Sequence, residues 1–558
     1  MKPSIGTDEP AAPAGERTAA PSSWAPLRSS VFRAIWIATL ASNLGTWMHI
    51  VAASWLMTSL TASAALVSLI LTAQAVPAFC LAIPGGALAD VLDRRRMIIA
   101  TQGWQVVVAA GLGVITLTHA ATPALLLAFT FALGVGAALG LPVLWAITAE
   151  IVSRRELPAA ISLNSAAFTL AQALGPTLGG LLVAAAGAGA VFLLNAVSFL
   201  AVAVAVAAWR RPTPVSTLPP EHVGAAMRTG VRYALNAPAL QVVLLRVATH
   251  VLCFSALPAL LVVVTRTRLD VGAGGYGVLY GCFGAGGVLG ALLLPRMRAR
   301  VTTDRLVLPA AALFAAGLVG LATLRSFAGL LPIMVVAGAA SMTVISSLNI
   351  AAQSVLPGWI RGRGLALYLL TFQAGMAGGA ALWGALATSA GLSIALVAAG
   401  AGLVAAHLLS YLFGLRLSAA DRVDLDPGHW SEPQFVLQPD PSEGPIRIEI
   451  EYRVAAGDTQ EFLTAMHEVR RTRKRDGAMS WSLYQDLSDP ERHLESFLVS
   501  SWAEHERQPE RAMRSDRAAI ERALALHKGE GPRVTHMLGH HFRRVPRAPG
   551  LVDRGDAG

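Results

Sequence analysis

Charged side chains are scarce over most of this chain. Asp, Glu, Lys and Arg make up 14% of its 558 residues, while 54% are hydrophobic. Soluble domains carry about 25% charged residues. Only seven acidic residues occur between residues 32 and 414, and the sequence becomes rich in charge again after residue 416. This distribution excludes an ordinary soluble protein and predicts a membrane-embedded region followed by a soluble tail.

Cysteines, metal-ligand patterns and nucleotide-binding loops are few or absent. Cys80, Cys253 and Cys282 all lie in apolar segments, where thiols behave as small buried hydrophobes, so no disulfide framework is predicted. No Walker-type loop is present, which argues against ATP-driven chemistry. We predict no cofactor and no metal ion. Residues 1–30 lack the features of a cleaved signal peptide, and we interpret them as a disordered cytoplasmic tail.

Long apolar segments follow this tail. A helix needs roughly 20 apolar residues to cross the hydrocarbon core of a bilayer. Windows of that length predict twelve membrane-spanning helices in two sets of six, which is an all-α polytopic fold. The windows are 32–59, 64–88, 97–117, 122–149, 159–186 and 189–209, then 239–265, 274–295, 304–324, 328–355, 363–388 and 391–414.

Arginine placement orients these helices. Arginine-rich connections, such as 94–96, 154–155 and 296–300, alternate with arginine-poor ones, and basic loops stay on the cytoplasmic side. The opposite connections contain only Arg266, Arg268 and Arg325. We therefore expect both termini in the cytoplasm. Topology also explains the net charge of +10 without a nucleic-acid partner.

The apolar windows and the polar stretches between them divide the chain into domains. A faint internal repeat supports two related bundles, because residues 290–300 keep the Gly, Leu and Arg positions of residues 86–96 but lack the Asp. The predicted divisions are a disordered tail at 1–30, a six-helix bundle at 31–209, a cytoplasmic central loop at 210–238, a second six-helix bundle at 239–415, a linker at 416–445, a cytoplasmic domain at 446–545 and a disordered tail at 546–558.

The connection between the second and third windows carries a specific motif. It reads GGALADVLDRRR over residues 85–96 and fits the frame Gly-x-Leu-x-Asp-x-x-x-Arg-x-Arg. This motif resembles the loop signature of the major facilitator superfamily, although Val91 and Asp93 depart from the family pattern. The resemblance implies a gate on the cytoplasmic side; the alternative is that the arginines only fix topology. The gating residues in this interpretation are Gly86, Asp90, Arg94, Arg96, Arg361 and Arg363.

A proline among small residues marks the fifth window. Residues 171–180 read AQALGPTLGG, in which the proline bends a helix and the glycines permit close helix contact. The motif residues are Gly175, Pro176, Gly179 and Gly180. The motif resembles that of drug and proton antiporters and favours export over uptake, with plain helix packing as the alternative.

Two longer stretches of sequence indicate a particular family within the major facilitator superfamily. Residues 141–180 and 357–384 resemble the transmembrane secretion effector family, which includes relatives of enterobactin and macrolide exporters, and the likeness extends over about residues 30–545.

Polar and aromatic residues inside apolar windows are candidates for substrate contact, because they are costly in a membrane. Amides and aromatic rings together suit amphipathic organic molecules, whereas the alternative for each residue is a hydrogen bond between helices. The candidates are Asn43, Trp47, Trp55, Asn164, Gln172, Asn349, Gln353, Tyr368 and Gln373. Glu150 is the candidate for proton coupling, with an ion pair to Arg154 as its alternative. We expect His49 near an interface and Arg246 snorkelling toward the cytoplasmic surface.

Alternating polar and apolar residues predict a soluble domain after the linker. The predicted strands are 447–454, 479–486, 493–500 and 533–542, with helices beginning near residues 459 and 503. The order βαββαβ is ferredoxin-like. It resembles the small domains of the antibiotic biosynthesis monooxygenase group, which implies a homodimer formed through the sheets. The histidines of this domain show no convincing ligand spacing, so we favour a regulatory, sensing or dimerising role over catalysis.

These observations together predict a secondary exporter and no enzyme. The expected cargo is a small amphipathic molecule, such as a siderophore, an antibiotic or a related metabolite, exchanged for protons by alternating access. The expected partners are this substrate, protons and the lipid bilayer of the bacterial plasma membrane. An uptake permease and a membrane-anchored enzyme with its chemistry in the tail are the alternatives.

Overall fold

The computed structural model describes residues 24–91, 93–153, 155–209, 231–357, 359–415, 417, 439–441, 443–508, 514–529 and 531–539. Side chains are described outside residues 82–92, Ala149 and 514–516 of these ranges. Most of the predicted terminal tails, central loop and linker therefore lies outside the described residues.

Five helices form the N-terminal half among the described residues. Local side chains cap the first turns of the first and fourth of them: the Ser29 hydroxyl accepts the Phe32 N–H, and the Thr122 hydroxyl accepts the Leu125 N–H ahead of a helix that begins with proline. The helices are α1 (Ser30–Leu60), α2 (Ala64–Val91), α3 (Arg94–Leu117), α4 (Pro123–Ile151) and α5 (Leu157–Ala208).

Seven helices of the C-terminal half lie wholly within the part of the chain that the structure describes. The first two follow each other with only Ser255 between them and correspond to one predicted window. The helices are α6 (Pro238–Phe254), α7 (Ala256–Thr267), α8 (Ala273–Arg298), α9 (Thr303–Thr323), α10 (Phe327–Ser354), α11 (Arg361–Ser389) and α12 (Leu392–Leu412).

Ten segments among the described residues are long and apolar enough to cross a membrane. The predicted fifth and sixth windows form the single 52-residue helix α5, which is interrupted at Gly187 (φ 80°, ψ 168°). This backbone conformation belongs to a region that only glycine adopts readily, and it coincides with the gap expected between the two windows. Helix α1 is 31 residues long but is not among the ten.

Apolar side chains join the helices within and between the halves. In the N-terminal half α1 and α3 pack on α5, and α2 packs on α4; in the C-terminal half α8 packs on α10, and α9 packs on α12. The two halves meet along α2 with α11 and along α5 with α8. Buried side chains from both halves belong to one continuous apolar cluster that includes Met57, Ile70, Tyr276 and Phe314.

A small α+β domain follows the membrane helices. Its sheet has the antiparallel order β2-β3-β1-β4, which agrees with the predicted βαββαβ arrangement. Its core includes Ile448, Phe462, Met466 and Phe497. The elements are β1 (Ile446–Arg453), α13 (Thr459–Arg475), β2 (Ser480–Gln485), β3 (Arg492–Val499), α14 (Trp502–Glu506), α15 (Arg514–Ala525) and β4 (Arg533–Leu538).

Candidate functional site

The glycine motif of α5 lies where three helices approach closely. A Cβ on Gly175 would lie 2.5 Å from Trp47 Cβ, and one on Gly179 would lie 2.8 Å from Met48 Cα, so these glycines let α5 pack on α1. A Cβ on Gly180 would lie 2.5 Å from the Ala273 carbonyl oxygen on α8. The motif therefore packs α5 on its own half and on the opposite half together.

Hydrogen bonds between the halves gather at one end of the helix bundle. Thr72 Oγ1 donates to the Ala377 carbonyl at 2.9 Å, and the Ala65 N–H donates to Thr388 Oγ1 at 3.0 Å, which joins the beginning of α2 to the second part of α11. Thr177 Oγ1 donates to the carbonyl of Gly277 near the beginning of α8 at 3.2 Å. These contacts adjoin the arginine-poor connections.

An open cavity of about 370 Å³ lies between α2, α6 and α11. Its lining is almost entirely apolar, and none of the nine substrate candidates belongs to it. The lining residues are Phe79, Ala248, Thr249, Leu252, Leu370, Thr371, Ala374 and Gly375.

Trp55 takes part in the contact between the halves. Its ring stacks on Tyr276 of α8 with 6.5 Å between the ring centres. Arg266 of α7 lies 5.5 Å from the centre of the same ring and donates to Thr58 Oγ1 at 2.8 Å. This arrangement combines aromatic stacking with a cation over a ring face, and it holds the end of α1 against the C-terminal half.

The other N-terminal substrate candidates lie on α1 and α5. Trp47 packs edge-on against Phe168, with ring centres 6.3 Å apart. Asn164 Nδ2 donates to Thr148 Oγ1 of α4 at 3.1 Å. Gln172 is exposed and Asn43 is half-buried, each near the middle of its apolar stretch. The structure thus brings Trp47 together with an exposed aromatic residue, whereas Asn164 forms an interhelical hydrogen bond.

The C-terminal candidates form a local group on α10 and α11. Gln353 Nε2 donates to Asn349 Oδ1 at 2.7 Å, one helical turn away. Asn349 also shares a hydrogen bond with the buried Tyr368 of α11. Gln373 lies farther along α11 and is half-buried. Three of the four candidates are therefore in hydrogen-bond contact, and they join two helices.

The gate motif is connected to α4 and α5 of its own half. Asp93 caps α3 by accepting the Arg96 N–H at 2.9 Å. Arg94 Nη1 pairs with Glu150 Oε1 at 2.8 Å, where both side chains are partly exposed. Arg95 donates to backbone carbonyls of the last turn of α5. The carboxylate of Glu150 thus pairs with the motif itself, while the alternative partner Arg154 is outside the described residues.

The remaining gating candidates occupy helix ends. Gly86 and Asp90 lie in the last turns of α2, and their surroundings are outside the described side chains. Arg96 is exposed in the first turn of α3. Arg361 is exposed and Arg363 half-buried in the first turn of α11.

A buried ion pair in the C-terminal half was missed by the sequence analysis. Arg246 Nη1 of α6 lies 2.7 Å from Asp304 Oδ1 in the first turn of α9, with side-chain exposures of 3% and 9%. The expectation that Arg246 snorkels to the surface is therefore wrong, because an interior carboxylate neutralises it. Arg246 also donates to the Leu415 carbonyl at 3.1 Å, and Asp304 accepts the Leu417 N–H at 3.0 Å, so the pair holds the chain that leaves α12.

Three buried histidines were also missed or misplaced. The His250 and His407 rings contact each other through Nδ1 and Nε2 at 3.1 Å. His49 lies near the middle of α1, is 5% exposed and packs against Phe192, so the expectation of an interfacial position is wrong. Its ring borders a cavity of about 30 Å³ that Gln74, Gln105 and Asn195 also line.

The soluble domain holds a buried charge of its own. Glu495 is fully buried on the helix-facing side of β3 and accepts from Tyr452 Oη at 3.0 Å, Trp481 Nε1 at 2.9 Å and Arg473 Nε at 3.1 Å. Burial raises the pKa of the Tyr452 hydroxyl, and the Glu495 charge adds to this effect. Three donors satisfy the carboxylate, as a structural buried anion requires. Among the described residues no group of three His, Cys, Asp or Glu could hold a metal ion.

Comparison with solved structures supports the fold described above. A bacterial homolog of the human lysosomal transporter Spinster has a TM-score of 0.57 and 17% identity, with 73% of this chain and 99% of that chain covered. The nucleoside transporter NupG has a TM-score of 0.56 and 11% identity, covering 70% of this chain and all of that chain. This chain therefore shares the fold of these transporters, and ten of its described segments are long and apolar enough to cross a membrane.

Comparison by sequence identifies the family. Residues 21–544 match the family model of the transmembrane secretion effectors, and the chain belongs to this family. The enterobactin exporter EntS of Shigella flexneri is 27% identical over 267 residues, which are 47% of this chain and 62% of the relative. The staphyloferrin A transporter of Staphylococcus aureus is 24% identical over 262 residues, which are 46% of this chain and 64% of the relative.

The chain thus covers less than two thirds of either curated relative. The curated relatives and the solved structures named above are transporters and not enzymes.

Proposed function

We propose that this protein exports small amphipathic molecules, siderophores among them, in exchange for protons. The observation that carries the proposal is the likeness to the enterobactin exporter and to the staphyloferrin A transporter within one secretion family. The glycine motif of α5 adds support for export, since it resembles that of antiporters. A protein with this function would lie in the bacterial inner membrane.

Twelve crossings fit the described helices. Helix α5 extends over 52 residues, about 78 Å at 1.5 Å per residue, which is more than twice the hydrocarbon thickness of about 30 Å. Its break at Gly187 supplies the turn between two crossings. Helix α1 adds another crossing of sufficient length, and α6 with α7 form one crossing, so the total is two sets of six. Both termini then lie in the cytoplasm with the arginine-rich connections.

The positions of the contacts between the halves support alternating access. In the proposed orientation the hydrogen bonds of Thr72 and Thr177 lie on the outer side of the membrane, and the gate motif lies on the inner side. The cargo would then enter from the cytoplasm between halves that are joined at their outer ends. The amide and aromatic residues on α1, α5, α10 and α11 supply hydrogen bonds and stacking surfaces for a cargo with polar and apolar parts.

The gate motif and Glu150 have related roles in this proposal. Arg94 and Glu150 form an exchangeable pair, and Asp90, Arg96, Arg361 and Arg363 supply further charge at the same inner side. Proton binding by Glu150 would release Arg94, so this carboxylate is a candidate for linking protons to the gate. We expect Asp90→Asn to depress transport while membrane insertion is unchanged.

The soluble domain is proposed to dimerise the transporter. The sheet face away from the helices carries opposite charges side by side, with Arg447 Nε 2.9 Å from Glu449 Oε1 and Arg492 Nε 3.0 Å from Glu451 Oε1. Alternating charges of this kind can pair with a second copy across a two-fold axis. No catalytic role is assigned to this domain.

An export assay tests the proposed function. Cells that produce enterobactin and lack their own exporter would express the full chain, the chain without residues 440–558, or Asp90→Asn. We expect the full chain to raise secreted siderophore, measured by mass spectrometry of medium and cells, and a protonophore to abolish the gain. Less siderophore in the medium and more inside the cells than in the same cells without the chain would indicate uptake. Efflux unaffected by collapse of the proton gradient would refute proton exchange.

A further inference from the structure

Two buried histidine rings connect the first and last helices of the C-terminal half. His250 of α6 and His407 of α12 are 0% and 1% exposed. Their Nδ1 and Nε2 atoms are 3.1 Å apart, and the rings meet edge to face with 5.3 Å between their centres. One ring nitrogen must donate and the other accept, so the neutral pair already shares one hydrogen between the two helices.

The outer nitrogens of the pair have no hydrogen-bond partner among the described residues. These are His250 Nε2 and His407 Nδ1, both buried. A buried polar atom without a partner costs about 1–3 kcal/mol, so two apolar side chains of similar shape would pack here at lower cost. Phe254, stacked on His250 with ring centres 6.3 Å apart, shows that the surroundings are apolar. This cost indicates a chemical use for the two bases.

The charges around the pair balance. Arg246 lies one turn before His250 on α6, about 6 Å along the helix axis, and Asp304 of α9 neutralises it at 2.7 Å. Helix α10 contains no ionisable residue, and α11 meets α6 through Gly375, Gly379 and Trp383. The helices packed against α6 carry further ionisable residues, which are Arg266 on α7, Arg361, Arg363 and Tyr368 on α11, and His407 and Tyr411 on α12. Of these, His407 is the one whose ring contacts His250.

We propose that His250 and His407 form a proton-binding site that takes up one proton per chain and holds it between the two rings. The proposal deepens the proposed proton exchange, on which it rests. The bound species is a proton, and the neutral pair becomes a monocation with an N–H⁺···N bond. Such a charge-assisted bond is stronger than the neutral one, and low polarity around it strengthens it further. Two nitrogens alone, with no third ligand among the described residues, do not form a metal site.

Proton binding at this site favours a different conformation of the C-terminal half. The rings are buried here, so a proton reaches them only when α6 and α12 part or when water approaches along α6. Thr249, the neighbour of His250, already lines the open cavity of about 370 Å³. A positive charge buried among apolar side chains also opposes the present packing. A ligand that binds one conformation better shifts the population toward it, so the pair links proton binding to helix movement.

Proton uptake by the purified full chain tests the site without any cargo. The protein, in weakly buffered detergent solution, would be taken from pH 8 to pH 4, and the bound protons counted for wild type, His250→Gln/His407→Gln and His467→Gln. His467 is exposed on α13 and lies outside the pair, so His467→Gln is the matched control for a change from histidine to glutamine. We expect the double variant to take up one proton fewer than wild type. A difference of zero or of two would overturn the shared site.

A second measurement uses the unaltered protein. In wild-type protein labelled with ¹⁵N-histidine in lipid, the shared bond should give a ¹⁵N–¹⁵N coupling between two ring nitrogens, and acidification should leave one proton between them. Two independently protonated rings, or no change down to pH 4, would contradict the proposal. Transport of cargo in vesicles distinguishes the histidine proton site from the proposed proton exchange. Transport that depends on the pH gradient, in a protein whose histidine pair binds no proton, would overturn only the site. Normal proton uptake with transport that ignores the gradient would overturn only the proposed function.

Discussion

Adding one methyl group at Gly180 should weaken the contact between the halves. A Cβ there would lie 2.5 Å from the Ala273 carbonyl oxygen and 2.6 Å from Gly277 Cα. Both neighbours are backbone atoms and cannot rotate away, so α5 and α8 must separate by about 1 Å to reach ordinary contact. Overpacking of this size costs about 1–3 kcal/mol. Since 1.4 kcal/mol is a factor of ten, the separated population should rise roughly 5-fold to 140-fold in Gly180→Ala.

Alkylation of a buried cysteine measures this population. Ser68 is 0% exposed beneath Gly384, at the contact between α2 and α11. In a background without Cys80, Cys253 and Cys282, a maleimide should modify Ser68→Cys 5-fold to 140-fold faster when Gly180→Ala is present, because only separated halves expose the thiol.

Gly103→Ala is the matched control for this experiment. It makes the same chemical change in α3, where a Cβ would meet nothing within 4 Å. Replacing Gly by Ala raises helix propensity equally in Gly103→Ala and Gly180→Ala, whether the halves are joined or separated. This gain therefore does not affect the comparison of their alkylation rates. Equal alkylation rates in wild type, Gly103→Ala and Gly180→Ala would refute the argument that this glycine sets the distance between the halves.

Three further predictions concern the buried and partly buried charges. Arg246→Met should lower the free energy of unfolding by about 3–5 kcal/mol because Asp304 is left buried without its partner, and a melting curve should show recovery in Arg246→Met/Asp304→Asn. Glu150→Gln should change stability by less than about 1 kcal/mol, since that pair is partly exposed, yet alter transport; unchanged export would contradict its proposed role in proton coupling. Burial, followed by the charge of nearby His505, lowers the pKa of His536 to about 4, so the stability of its strand is complete above pH 6.5 and falls toward pH 4. Hydrogen exchange of residues 533–538 should show a loss of about 1 kcal/mol at pH 5 after solvent screening, absent in His536→Gln.

The membrane helices were predictable because length and hydropathy determine them. The window 64–88 became α2, and 274–295 became α8, each within three residues at either end. The interruption of α5 at Gly187 coincides with the gap between the predicted windows 159–186 and 189–209. The strands of the C-terminal domain were also predictable from the sequence, because a period of two places Ile446, Ile448 and Ile450 on one side of β1.

Contacts between distant segments were not predictable from one sequence. Arg246 and Asp304 are separated by 58 residues, and His250 and His407 by 157. Hydropathy places each of these residues in or beside an apolar segment but does not say which helix faces which. The available signal was that Arg246 lies within one apolar window and Asp304 begins another in the same half, because a charge within a membrane helix calls for a partner of opposite sign.

Proton flux driven by cargo tests the central claim most directly. The full chain would be reconstituted in liposomes containing a pH-sensitive dye, and catecholate and carboxylate siderophores, with enterobactin and staphyloferrin A among them, would be added one at a time. We predict that at least one siderophore produces a proton movement opposite to its own, absent from empty liposomes and reduced in Asp90→Asn. Siderophore transport with no accompanying proton movement, or no siderophore transport at all, would contradict the account.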